Sequence, residues 1–192
     1  MTHSSDPADV AVRDLDLTVA EDGAALEDPN RDAADVTISM TVLEGRRRQI
    51  QAVIEIPCPR ETLWRVLSDY ENLATFIPNL VESSIVGQEE GCTLVRQVGR
   101  QQFLLLKFAA AVTLKIRESY PHTLAFEMIK GDFLEFAGTW ELTPLPTGTQ
   151  LTYSLTIHPP RHMPLQVVER CLKHDLAANL RAVRDYTLNF SA

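Results

Sequence analysis

Two carboxylates, Asp69 and Glu71, flank Tyr70 in the stretch SDYENLATFIPN, residues 68–79. Paired carboxylates can divide the work of general acid and general base. Such a pair would need a His or Lys to complete a site, and the stretch holds neither. A second use accounts for the same residues. Ser68 and Glu71 fit the S-x-x-E capping box, in which hydroxyl and carboxylate satisfy free N–H groups at a helix start. The pattern favours capping over acid–base chemistry.

His158 and His162 stand four apart, a spacing that would suit a shared metal on one helix face. Pro159 and Pro160 lie between them and forbid that helix. Cys58, Cys92 and Cys171 have no C-x-x-C spacing and read as buried or incidental thiols. The sequence contains no G-x-S-x-G, no S-x-x-K and no Gly-rich phosphate loop. It therefore offers no catalytic residue, no metal ligand and no covalent cofactor to name. Two basic features remain. One is the run Arg46-Arg47-Arg48; the other is a stripe of Arg170, Lys173, Arg181 and Arg184. Either they form a solvated face, with Glu169–Lys173 and Arg181–Asp185 at i,i+4, or they dock on anionic lipid head groups. Nucleic acid is not an expected partner, because no aromatic side chains interleave with these cations and residues 41–192 carry sixteen charges of each sign.

The elements that must position these groups are legible from hydrophobic period. QIQAVIEIP places Ile50, Ala52, Ile54 and Ile56 on one strand face. Pro59 suits the first turn of a helix, and Leu63, Val66, Leu67 and Tyr70 follow at helical spacing. A second short helix carries Leu73, Phe76 and Ile77 and should stop before Pro78. Six strands follow. VESSIVGQ and TLVRQV flank the hairpin loop GQEEG. The long strand Gln102–Glu118 turns Leu104, Leu106, Phe108, Ala110, Val112, Leu114 and Ile116 to one side. Leu124, Phe126 and Met128 form the next inward set, then Leu134, Phe136, Gly138, Trp140 and Leu142, then Leu151, Tyr153, Leu155 and Ile157. From Pro164 to about Leu188 the spacing becomes helical, through Leu165, Val168, Leu172, Leu176, Leu180, Val183 and Thr187. Consecutive alternating strands predict an antiparallel sheet with one covered face, and the long amphipathic helix is its cover. The class is α+β, with an antiparallel sheet of about seven strands. The inward aromatics read either as packed core or as cavity lining, where the Trp140 N–H and Tyr153 O–H could orient a polar ligand head.

Three segments resemble the START-like superfamily, which covers polyketide cyclases, dehydrases and lipid-transport proteins (SRPBCC). LWRVLSDYENLATFIPNLVESSIV (63–86) is similar to that family's first helix, its D-Y-x-x-L-x-x-F-x-P turn and its second strand. FAGTWELTP (136–144) resembles its G-x-W strand, and MPLQVVERCLKHDLAANLRAVRDY (163–186) its closing helix. The coenzyme Q-binding-protein-like branch is the nearest. The resemblance implies a helix-grip fold over residues 46–190, with an apolar cavity between sheet and helix. It implies binding and sequestration or presentation of a lipophilic small molecule, a prenylquinone or lipid. The lining it implies comprises Leu106, Phe108, Phe126, Met128, Phe136, Trp140, Tyr153, Leu172 and Leu176, with Tyr70, Phe76 and Ile77 at the gate. Two alternatives stay open: an aromatase/cyclase-like enzyme, which would need a polar cluster beside Tyr153, and a protein- or ribosome-interaction module with a filled core.

Charge separates the remaining segment. Residues 1–40 hold ten acidic and two basic residues and are expected to be a disordered acidic tail. No apolar run reaches the roughly 18 residues of a spanning helix, and no secretory signal or transit peptide is apparent. A reduced, cytoplasmic location is expected, peripheral at a membrane if the arginines dock there.

Overall fold

The computed structural model describes residues 35–103 and 106–190, and their side chains except at 101–108. In chain order the elements are β1 (Val36–Val42), β2 (Arg48–Ile56), α1 (Arg60–Ser68), α2 (Leu73–Phe76), β3 (Leu80–Glu89), β4 (Cys92–Phe103), β5 (Leu106–Ser119), β6 (Thr123–Gly131), β7 (Glu135–Leu145), β8 (Gly148–His158) and α3 (Leu165–Phe190). The strands form one antiparallel sheet in the order β1-β2-β8-β7-β6-β5-β4-β3. It is curved and unclosed, with β1 and β3 as its edges. This is the helix-grip arrangement.

The period-two pattern dictates which face is covered. Ile50, Ala52, Ile54 and Ile56 of β2 are buried, while Gln49, Gln51 and Glu55 between them are exposed. Leu151, Tyr153, Leu155 and Ile157 of β8 do the same. Each fully buried Ile or Leu contributes about 1.5–3 kcal/mol, so these two strands and the Leu176, Leu180, Val183 and Thr187 stripe of α3 make the rigid side of the molecule.

Three expectations are corrected here. The sheet has eight strands, not about seven. The extra strand, β1, begins at Val36, inside the segment expected to be disordered through residue 40. Its own alternation, Val36, Ile38 and Met40, packs on the core. The acidic composition of the residues before it hid that pattern; residues 1–34 lie outside the described residues. The capping box is also not formed. Ser68 ends α1, and α2 begins only after Asn72, with no side-chain cap bond. Leu134 is not inward either: it precedes β7 and is 64% exposed.

Turn chemistry is tighter than GQEEG suggested. β3 and β4 are joined at Glu90 and Gly91, both at positive φ (51° and 75°), a two-residue hairpin turn whose second position favours Gly.

Candidate functional site

α3 is the element that makes a hollow. Its close approaches in the sheet are to β1 and β2 at one end and to β4 near the other, besides α1 and α2. Between those supports α3 makes no comparable approach to β5–β8, of which β7 and β8 are met by α1, and a cavity of about 330 Å³ lies there. That volume is at the small end of the ~300–1,000 Å³ range of small-molecule sites.

The wall is built by three groups of side chains. The sheet supplies Val112, Leu114, Ile116, Leu124, Phe126, Phe136, Trp140, Tyr153, Leu155 and Ile157. The helical segment after β2 supplies Leu67, Tyr70, Leu73 and Ile77. α3 supplies Val167, Val168, Cys171, Leu172, Asp175, Leu176 and Asn179. Pro78, Asn79 and Pro164, all exposed, also line it and mark its mouth. Inside, the aromatics interlock: Trp140 and Tyr153 at 4.3 Å between ring centroids, Phe126 with Tyr153 and with Phe136 at 5.9 Å each.

Of the expected lining, Tyr70, Ile77, Phe126, Phe136, Trp140, Tyr153, Leu172 and Leu176 are in this wall. Phe76 and Met128 are not. Phe76 stacks on Tyr186 of α3 at 4.1 Å and 11°, so it ties α2 down instead of facing the hollow. Met128 is half-buried against the core. It still pairs with Leu114 in the register of Phe126 with Ile116, and the β5–β6 register shifts only after it, at Ile129. The side chains of Leu106 and Phe108 lie outside the described residues. Sequence reasoning missed Asn79, Gln97, Asp175 and Asn179. Asp175 and Asn179 flank the apolar stripe of α3 at helical spacing, which was the available signal; Asn79 and Gln97 had none.

The segment from Tyr70 to Asn79 is held by polar contacts. Asn72 Nδ2 donates to Tyr186 Oη at 2.7 Å, and Asn79 Nδ2 donates to Asp175 Oδ1 at 3.2 Å. Tyr70 Oη donates to Glu118 at 2.8 Å. Burial, then that neighbouring carboxylate, pushes the Tyr70 phenol far up, so it stays neutral. Burial pushes Tyr153 and Cys171 up as well.

Arg46, Arg47, Arg48, Arg181 and Arg184 prove to be internal fasteners, while Arg170 and Lys173 are exposed. Arg46 donates from Nε to Pro159 O (3.2 Å) and from Nη2 to Pro160 O (3.1 Å) and Met163 O. Arg47 grips Glu135 with two bonds, at 2.6 and 2.8 Å. Arg48, 6% exposed, pairs with Glu169 on the first turns of α3 at 2.5 Å and caps the Gly45 and Arg47 carbonyls. Arg181 and Arg184 both bond Asp35, just before β1. The lipid-docking expectation for the last two is thus replaced by a strap: their charge is matched within the chain. Among the described residues no cluster of three or more His, Cys, Asp or Glu side chains could hold a metal, and no helix is long and apolar enough to cross a membrane.

A profile of the family described as polyketide cyclase / dehydrase and lipid transport matches residues 56–184. No curated protein matches the sequence. Solved structures share the fold at low identity. A STAR-related lipid transfer protein from Xanthomonas axonopodis superposes with a TM-score of 0.68 at 15% identity, over 81% of this chain and 95% of its own. The Zhui aromatase/cyclase from a Streptomyces species gives 0.63 at 15%, over 76% and 96%. A START superfamily protein from Mycobacterium smegmatis gives 0.64 at 16%, over 74% and 98%.

Proposed function

The chain belongs to the polyketide cyclase / dehydrase and lipid transport family, and on that premise we propose that it binds a lipophilic small molecule, a prenylquinone or lipid, for sequestration or presentation. The observation that carries this reading is the cavity itself: about 330 Å³ enclosed mainly by aliphatic and aromatic side chains. Apolar burial at about 25 cal/mol per Å² would drive binding, less the cost of association. The volume suits one ring system or a few isoprene units, with the rest of a longer ligand leaving by the mouth near Pro78 and Pro164. The 63–86 segment, with its resemblance to the coenzyme Q-binding branch, supports a quinone.

Bond chemistry has less support. The described wall contains no Arg, Lys or His. Its Tyr70, Tyr153 and Cys171 are all shifted away from ionisation near neutrality, so none is poised as a base. A purely structural interaction module would have no need of the hollow.

Two measurements test the reading. Native mass spectrometry and organic extraction of protein from its own host should recover a lipophile. Titration with short-chain quinones should quench Trp140 saturably in the wild type and not in Leu172→Asp. No co-purifying lipophile together with no saturable change would end the carrier hypothesis.

A further inference from the structure

Two tyrosines face the cavity, and they differ in one respect. The Tyr70 hydroxyl is engaged by Glu118. Tyr153, 8% exposed, stands on β8 between Ala52 of β2 and Trp140 of β7. Its ring is fixed by Trp140 and Phe126. Yet its hydroxyl has no hydrogen-bond partner among the described residues. Nor is that oxygen sealed in: the enclosed and unpartnered side-chain nitrogen or oxygen among the described residues is Arg60 Nε alone. The open surface of the Tyr153 hydroxyl therefore belongs to the cavity that Tyr153 lines.

A wall that needed only packing would be served by Phe. Buried hydroxyls are normally satisfied, and a ligand that displaces water from this one must replace the lost bond. Burial holds the phenol neutral, so it can donate a proton in a hydrogen bond. An anionic head group is poorly served. Asp175 is the one formally charged side chain in the described wall, and a carboxylate or phosphate brought inside would be uncompensated.

We propose that the cavity selects neutral lipophiles carrying a hydrogen-bond-accepting oxygen, such as a carbonyl, and that Tyr153 is the specificity-determining donor that reads it. This rests on the lipophile-binding reading above and narrows its ligand class.

The test compares methyl decanoate, n-undecane and the decanoate anion, binding to the full chain and to Tyr153→Phe, by calorimetry. The ester-to-alkane affinity ratio should fall on the order of five-fold in the variant, the worth of one net hydrogen bond, while undecane affinity holds. Decanoate should bind more weakly than the ester to both proteins. The infrared ester carbonyl band of the bound ligand should lie lower in frequency in wild type than in the variant. An unchanged ratio with an unshifted band overturns the assignment of Tyr153, and decanoate binding as tightly as the ester overturns the selection for neutral ligands; both leave the lipophile reading standing. Binding of none of the three to either protein removes that reading, and this inference with it.

Discussion

Gly138 shows how a single residue shapes the aromatic wall. A Cβ there would fall 2.0 Å from the Ser154 carbonyl oxygen and 2.8 Å from Phe126 Cζ. The first contact is backbone and cannot yield, so only Gly lets β7 lie this close to β8 beneath the Phe126 ring. Gly138→Ala should therefore destabilise the fold by about 1–3 kcal/mol through overpacking, seen as a lower denaturant midpoint at unchanged slope. A midpoint within error of wild type would show that the strands separate more easily than this geometry implies. Arg48 is the complementary case. A guanidinium this enclosed is matched by Glu169 and two carbonyls, and deleting it strands those acceptors. The loss should be about 1.5–3 kcal/mol, the range for bonds to charged groups.

At the scale of elements, α3 is held at several points along its length, and the points differ in kind. Its first turns rely on Arg48–Glu169, with the preceding loop tied by Arg46. Its last turns are buried through Leu180, Val183 and Thr187. Polar fastening at one end, against apolar burial added to the Asp35 pairs of Arg181 and Arg184 at the other, predicts unequal local stability. In Arg48→Ala, amide exchange should accelerate over residues 165–172 much more than over 180–187; uniform acceleration would refute this inequality. β1 depends on another fastener. Burial alone would raise the Asp35 pKa, but the hydrogen bonds and charges of Arg184 and Arg181 outweigh it, and the net shift is below the ordinary 3.8. A depressed carboxylate stabilises the fold fully above its unfolded value and loses that contribution as pH falls through the folded one. The stability gap between wild type and Asp35→Asn should thus be constant from neutrality down to about pH 5, then close below 3.8. A gap independent of pH across that window would mean that the strap is not ionic.

For the whole molecule the decisive property is empty volume between layers. In a filled core an added ring costs about 1–3 kcal/mol; in a hollow it gains dispersion contacts instead. Leu172→Trp, which adds bulk from α3 into the cavity, should keep the melting temperature of wild type or raise it, and should abolish quinone-dependent quenching. A large drop in melting temperature would mean that the space is not available.

The sequence by itself determined seven of the eight strands, the long helix and their order, because period two and period 3.6 are local properties that each segment carries alone. It also placed most of the sheet's wall residues, since alternation assigns a face. β1 was obscured because an acidic composition outweighed a seven-residue alternation. Only the tertiary structure decided the rest. Whether inward side chains touch or leave a gap depends on where α3 is supported, and those supports lie far apart in sequence, at β1, β2 and β4. Phe76 was diverted by Tyr186, a contact not visible in a local pattern. The arginines changed meaning for the same reason: as a run and a stripe they looked like a surface for a partner, but Glu135, Glu169 and Asp35 reach them from distant segments. Charge pairing across the fold is a property of three-dimensional distance, and composition carries no record of it.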